Sequence, residues 1–420
     1  MSRIMNIIND FKTECNCGRV HETSVKDIRI GSGLVNEVGN ILKLNGFSDN
    51  ILLVADKDTI KAAHGILESL DGFSVETKIY DHLRVADMKH VEELEEIIKN
   101  RDISVLSVGT GSLNDPCRLA CARQGKLLCI FATAPSMDGF ASDSSPIVCE
   151  GFKSSYPAKS PEVIIGDTKI LVNAPAYLKS SGFGDMIAKY VGLIDWKISH
   201  LLTGEYYCEK VANLTKNAVD ELMKLAHLVT ENDEETAGKI FESLLMTGIA
   251  MSFTKNSRPA SGSEHIIAHL IECLQLPDGI IPNYHGEDVG VCTLRMLEYY
   301  NYLASQDIIE AHKEKVNWDQ VFAVYGKMAE EVKKLNFPEN IVDSVDPKSI
   351  ENSWQEIREI IKSVPSYEEC KSAMEKAGCK ITVSDIEKEQ SFFDLCVKYS
   401  PYMRKRLTLL RLKDMISVKK

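Results

Sequence analysis

Ile103-Ser104-Val105-Leu106-Ser107-Val108-Gly109-Thr110-Gly111-Ser112-Leu113-Asn114-Asp115 reads as a strand, a glycine turn and the start of a helix. The strand part is apolar or small throughout, without the in–out alternation of a half-exposed strand, so both of its faces should be covered. Gly109 and Gly111 permit close backbone approach, and the helix N-terminus that follows offers unbonded N–H groups to a pyrophosphate. The run is not a Gly-x-Gly-x-x-Gly fingerprint, because position 114 is Asn, and no Gly-Lys-Ser/Thr follows it.

The same alternation extends outward on both sides. Ile28–Ile30, Ile51–Ala55, Val75–Tyr80, Leu127–Ala132 and Val163–Ile165 are further strand-type runs. Helical patterns at 35–44, 59–70, 88–100 and 113–124 separate them. Continuous apolar strands alternating with helices predict a mostly parallel, Rossmann-like sheet with helices on both faces. Ligands of such sheets bind beyond the carboxyl ends of the strands. Asp56 closes the second long run, where it can accept hydrogen bonds from a ribose or simply cap the next helix. Ala132-Thr133-Ala134-Pro135-Ser136-Met137-Asp138-Gly139-Phe140-Ala141-Ser142 closes another, a loop of small and hydroxylated residues with Asp138 lacking a local cation.

After Pro175 the β-type runs stop. Helical periodicity over 186–202, 205–229, 234–253, 264–274, 286–304, 306–313 and 318–335 predicts an all-α second domain, and Ser366/Glu369 and Ser384/Glu387 read as capping boxes. The division expected is an α/β domain over 1–176 and a helical domain over 177–420.

The helical half carries a dense chemical stretch: three of the ten histidines, His265, His269 and His285, lie in one short span. His265 and His269 share a helix face one turn apart, and His285 stands where a loop meets a helix. Asp185, in Gly182-Phe183-Gly184-Asp185, is either an N-cap or the carboxylate that joins two imidazoles in a one-Asp, two-His metal set. Glu264 and Glu287 are placed to orient histidines or to be solvated.

Composition limits the alternatives. Hydrophobic residues are 44% and charged residues 26% of the 420, with a net charge of −12. That argues against a nucleic-acid or anionic-membrane surface. No apolar run approaches membrane-spanning length, so a cytoplasmic protein is expected. The twelve cysteines are scattered, as reduced thiols are. Cys15-Asn16-Cys17-Gly18-Arg19-Val20-His21 reads as a hairpin turning at Gly18, because a metal set would lack a fourth ligand nearby.

Taken in order, Gly-Thr-Gly-Ser-Leu-Asn-Asp (109–115), Ala-Thr-Ala-Pro-Ser-Met-Asp-Gly-Phe-Ala-Ser (132–142), Gly-Phe-Gly-Asp (182–185), Ser-Arg-Pro-Ala-Ser-Gly-Ser-Glu-His (257–265) and His-Gly-Glu-Asp-Val-Gly (285–290) resemble the sn-glycerol-1-phosphate dehydrogenases. The bacterial AraM type is the most similar, within the iron-containing alcohol dehydrogenase and dehydroquinate synthase-like superfamily. The resemblance covers most of 15–415 and implies a dehydroquinate synthase-like fold with the active site between the two domains. It implies reversible reduction of dihydroxyacetone phosphate to sn-glycerol 1-phosphate with NAD(H) or NADP(H), in a cytoplasmic homodimer. Asp185, His265 and His285 would hold one divalent ion, Zn or Ni, with Fe a further option. Asp138, Asp185 and His269 would contact the substrate; the proton the alkoxide then needs could come from His269, whose imidazole titrates near working pH, or from a metal-bound water. Asp56, Gly109, Gly111, Ser112, Leu113, Asn114, Asp115, Thr133, Ala134, Pro135, Ser136 and Ser142 would contact the cofactor. Arg258, inside the histidine-bearing motif, is the candidate partner of the substrate phosphate. A glycerol or polyol dehydrogenase and a non-catalytic nucleotide-binding regulator remain open.

Overall fold

A computed structural model describes residues 3–418. Eight strands occur before residue 170: β1 (Asp27–Gly31), β2 (Asn50–Asp56), β3 (Ser74–Tyr80), β4 (Ser104–Gly109), β5 (Leu128–Ala132), β6 (Ser144–Cys149), β7 (Phe152–Pro157) and β8 (Val163–Asp167). Six of them form one sheet in the order β1-β8-β5-β4-β2-β3, and every pairing in it is parallel. The four inner strands are buried almost end to end, which is why their sequences are continuous apolar runs. Leu53, Leu106, Phe131 and Ile165 pack with Val38, Leu42 and Ile66 on one face. Leu52, Val105, Ile130 and Ile164 pack with Val91, Leu94, Cys117 and Leu244 on the other.

The chain leaves β2 toward β3 at one edge and leaves β4 toward β5 and the other edge. The carboxyl ends of β2 and β4 therefore flank the point where strand order reverses, the usual place for a ligand crevice. Asp56 ends β2 and Gly109 ends β4. The hairpin β6–β7, antiparallel from Ser144↔Pro157 to Cys149↔Phe152, was not foreseen. Its apolar run, Ile147-Val148-Cys149, is too short to stand out beside the polar residues of β7, most of which are half-exposed or exposed.

From Ala176 onward long helices dominate. Helices 176–187 and 189–203 are separated only by Ala188, and 234–254, 263–275 and 285–304 follow. The helix Glu234–Thr254 is buried along nearly its whole length, with Phe241 against Phe140, so the helical layer is packed directly onto the sheet unit. Two expectations fail. The segment expected as a helix over 306–313 instead contains a short strand, Ile309–Ala311, paired antiparallel with Ile416–Val418. Gln306 and Asp307 are engaged by Trp354 and Arg358, which holds this stretch extended. Ser384 and Glu387 form a turn with Glu387 at φ 55°, and the next helix begins at Gln390, so that capping box does not exist. The Ser366/Glu369 box does. Among the described residues no helix is long and apolar enough to cross a membrane.

Candidate active site

Asp185 lies in the last turn of the helix Ala176–Ile187 and is not a cap. His285 is the first residue of the helix His285–Ala304. These helices touch backbone to backbone: a Cβ on Gly184 would stand 2.5 Å from the Gly286 carbonyl oxygen, while Gly182 packs against the loop after β5, where a Cβ would stand 1.9 Å from the Pro135 carbonyl oxygen. The glycines beside Asp185 and His285 thus let the two ligand-bearing backbones converge. His265, third in the helix Ser263–Gln275, completes the set. One ligand atom from each of Asp185, His265 and His285 lies within 4.8 Å of the others.

Hydrogen bonds aim these groups. Asp185 is fully buried; its Oδ2 accepts the Asp138 backbone N–H at 2.9 Å and its Oδ1 accepts from Lys189 Nζ at 2.7 Å. The buried Glu264 carboxylate takes His265 Nδ1 at 2.6 Å and the Gly262 N–H at 2.8 Å, turning Nε2 toward Asp185 at 3.4 Å. Glu287 instead accepts from the Tyr284 N–H and caps its own helix. Lys189, which sequence reasoning missed, has no exposed side-chain surface and bridges Asp185 and Asp138, the latter at 2.6 Å. Its only sequence signal was a spacing of four from Asp185, across the break at Ala188 between the two helices.

The electrostatics suit a cation. Burial opposes ionisation of Asp185, but Lys189 and His265 outweigh it and hold the carboxyl well below its usual range. Burial pushes His285 down to about 3, so it is a neutral imidazole at working pH, the form that ligates metal. His265 is raised, because its bonds to Asp185 and Glu264 exceed the effect of burial. Burial, with Lys153 and Arg404 nearby, takes His269 well below its usual value. Burial and the neighbouring Asp185 charge push Asp138 up. A carboxylate and two imidazoles in this arrangement fit a divalent transition ion, with coordination positions left for substrate oxygen. His269 stays outside the three-ligand set, its ring 5.8 Å from that of His285 and 6.1 Å from that of His265.

A cleft of about 860 Å³ joins these groups to the strand ends. Its walls include Asp138, His265, His269 and His285, and also Asp56, Gly111, Ser112, Leu113, Asp115, Thr133, Ala134, Ser136 and Ser142. Asp56 Oδ1 caps the next helix through the N–H groups of Asp58 and Thr59, while Oδ2 has only a 3.4 Å contact to the Leu83 N–H. Asp56 therefore fills its capping role and still faces the crevice. Asp115, raised to about 6 by burial, pairs with the buried Arg118. Arg118 donates to the Gly139 carbonyl at 2.6 Å and so fixes the loop that carries Asp138 and Ser142.

Five candidates are not on the cleft wall; Asp185 lies just behind it, fully buried, and the other four are turned into the fold. Gly109 packs against Leu113, where a Cβ would come within 2.4 Å. Asn114 turns inward to accept from Ser107 at 2.7 Å. Pro135 gives its carbonyl to the Gly182 contact. Arg258 is the clear correction: it is buried, paired with Glu205, and donates to Ser199 at 3.1 Å and to the Leu407 carbonyl at 2.8 Å. Its donors serve the fold, so no phosphate partner is found there. Lys153, from β7, is a cleft-wall cation instead, 2.7 Å from Glu272.

The model of the iron-containing alcohol dehydrogenases matches residues 29–175. The chain is 27% identical over 98% of its length to 98% of a Halalkalibacterium halodurans protein named glycerol-1-phosphate dehydrogenase (NAD(P)+). It is 30% identical, over 77% of this chain and 87% of the relative, to a protein of the same name from Pyrococcus furiosus. A solved archaeal halo-thermophilic alcohol dehydrogenase from a Red Sea brine pool has the same fold, with a TM-score of 0.63, 15% identity and 94% of each chain covered. The sheet, the cleft and these identities together make the chain a member of the glycerol-1-phosphate dehydrogenase family.

Proposed function

We propose that this chain interconverts dihydroxyacetone phosphate and sn-glycerol 1-phosphate, using a nicotinamide cofactor. The observation that carries the reading is the convergence of Asp185, His265 and His285 on the cleft whose other end is the β2–β4 crevice. In the bound state a divalent ion supplies Lewis acidity to a carbonyl oxygen and the nicotinamide supplies hydride. The protein residues do the rest. Asp185, His265 and His285 hold the ion, and Glu264 fixes the ring of His265. Asp138 offers a cleft-wall carboxyl to the substrate, and the buried Lys189 behind it keeps Asp138 and Asp185 in place. His269, half-buried on the cleft wall and held toward its neutral form by desolvation, accepts the hydroxyl proton at a ring nitrogen in the oxidation direction. The helix N-terminus at Gly111–Leu113 meets the cofactor pyrophosphate. Lys153 meets the substrate phosphate in place of Arg258. The α/β part, to about residue 176, carries the cofactor, and the helical part carries the ion. A cytoplasmic homodimer is the assembly that the family resemblance favours.

The test is NADH or NADPH oxidation with dihydroxyacetone phosphate, chiral analysis of the product, and metal add-back after chelation. Lys153→Ala should raise KM for the phosphorylated substrate at least tenfold with little change in kcat, the loss expected for a charged hydrogen bond of about 1.5–3 kcal/mol. Equal turnover of glycerol and glycerol 1-phosphate would favour a polyol dehydrogenase instead.

A further inference from the structure

The polypeptide ahead of β1 holds a second cluster of ligand-type side chains, away from the cleft. Cys15–Arg19 is a tight turn: the Gly18 N–H bonds the Cys15 carbonyl at 2.8 Å, and the Cys15 N–H bonds that of Arg19 at 3.3 Å. Gly18 has φ +77°, a left-handed conformation that favours glycine. The turn brings both cysteines and His21 up to Cys208, the N-cap residue of the helix Glu209–Met223. The fourth ligand missing from the local sequence is thus supplied from almost two hundred residues away.

The spacing is that of a coordination shell. Cys15 Sγ lies 3.7 Å from Cys208 Sγ, and His21 Nε2 lies 3.5 Å from both Cys17 Sγ and Cys208 Sγ. A tetrahedral zinc with bonds of about 2.3 Å to sulfur and about 2.05 Å to nitrogen requires S···S edges of about 3.8 Å and S···N edges of about 3.5 Å. All four ligand atoms lie within 4.8 Å of one another. The surroundings also suit thiolates and a metal-facing imidazole. His21 is fully buried, with Nδ1 3.2 Å from the Phe253 carbonyl, which leaves Nε2 for an ion. The Tyr206 hydroxyl stands 3.4 Å from Cys17 Sγ. The backbone N–H groups of Arg19 and Val211 bond the sulfurs of Cys17 and Cys208.

We propose that Cys15, Cys17, His21 and Cys208 bind a structural zinc ion, separate from the catalytic ion. Three thiolates and one imidazole in a tetrahedron select zinc over magnesium, calcium or an octahedral ion, and a fully protein-ligated shell leaves no position for substrate. None of the four residues lines the cleft. The ion clips the N-terminal arm, whose Phe11 ring stacks on Phe253 at 4.7 Å, to the helical layer. Phe253 lies at the end of the helix Glu234–Thr254, just before the segment in which Ser257, Ala260 and Ser261 line the cleft. The clip therefore also anchors the approach to the active-site wall.

The experiment uses the full chain carrying His265→Ala and His285→Ala, which removes the catalytic ligands, purified in EDTA and analysed by elemental mass spectrometry. One zinc per chain is expected, resistant to EDTA and released by a mercurial thiol reagent. Cobalt-grown wild-type protein should show near-ultraviolet sulfur-to-cobalt bands and tetrahedral visible bands. The double variant should keep these bands, and Cys208→Ser should lose them. If Cys208→Ser does not accumulate, the cobalt spectrum of the double variant decides alone. A folded, metal-free double variant whose Cys15, Cys17 and Cys208 react freely with a disulfide reagent, or are joined in a disulfide, overturns the proposal.

Discussion

The backbone carbonyl oxygen of Ser181 stands 1.8 Å from the position a Cβ on Gly286 would occupy. No side chain fits there, and neither atom belongs to a flexible side chain that could retreat. Gly286→Ala should therefore push the helix bearing His285 away from the helix bearing Asp185. Overpacking of this kind costs about 1–3 kcal/mol. The cost in metal affinity should be larger, because one of three ligands moves with the helix. Thermal unfolding and metal titration of the variant check this: a modest fall in Tm with at least a tenfold loss of zinc affinity at the cleft is expected, and unchanged affinity contradicts it.

Lys189 neutralises two buried carboxylates at once. Lys189→Met leaves Asp138 and Asp185 facing each other without a cation, so the metal-free protein should lose about 3–5 kcal/mol of stability. A divalent ion bound at Asp185 replaces part of the missing charge. Urea unfolding with and without saturating zinc should show the deficit shrinking when the ion is present. A deficit of the same size in both conditions would mean that Lys189 serves only local packing.

His265 and His269 lie one turn apart on one helix but have different surroundings. His265 is locked by Glu264 toward Asp185, whereas His269 is outside the ligand set. His265→Ala should lose cleft metal and activity together. His269→Ala should keep the metal and lose about 10²–10⁴ in kcat/KM, the range for removing a proton-transfer group. Metal analysis beside steady-state kinetics separates the two, and equal metal loss in both variants would place His269 in the ligand shell.

Much of this was legible because two periodicities are hard to mistake. The continuously apolar strands could only be parallel and covered, and the sheet they form is wholly parallel. The three histidines in one short span pointed to this region, but only the fold shows that His265 and His285 converge with Asp185 while His269 stays apart, and that the glycines beside them stand where two backbones touch. What sequence could not give was direction. Arg258 sits within the right motif, yet Glu205 and the Leu407 carbonyl, distant in the chain, draw its guanidinium away. The strand β7 is largely polar and was not foreseen, so Lys153 was invisible as a cleft cation. Cys208 joins Cys15 and Cys17 only through tertiary contact, and no local spacing rule reaches that far.

Asp288 links the cleft to pH. It is buried, receives a hydrogen bond from Asn283 Nδ2 at 2.8 Å, and burial pushes its carboxyl up to about 7. In the unfolded chain the same group titrates near 3.9. Between these values the folded protein binds more protons than the unfolded one, so this contribution to stability is fully present below about pH 3.9 and is lost as pH rises through about 7. The upper bound is about 4 kcal/mol for a shift of about three units. Asp288→Asn keeps the shape without the charge. The variant should gain on wild type steadily as pH rises from 5, with the largest Tm advantage at pH 8, and so show a flatter Tm profile between them. His285 titrates in both proteins, so the difference between the two profiles isolates Asp288, and parallel profiles would show that its carboxyl is ionised in the fold throughout.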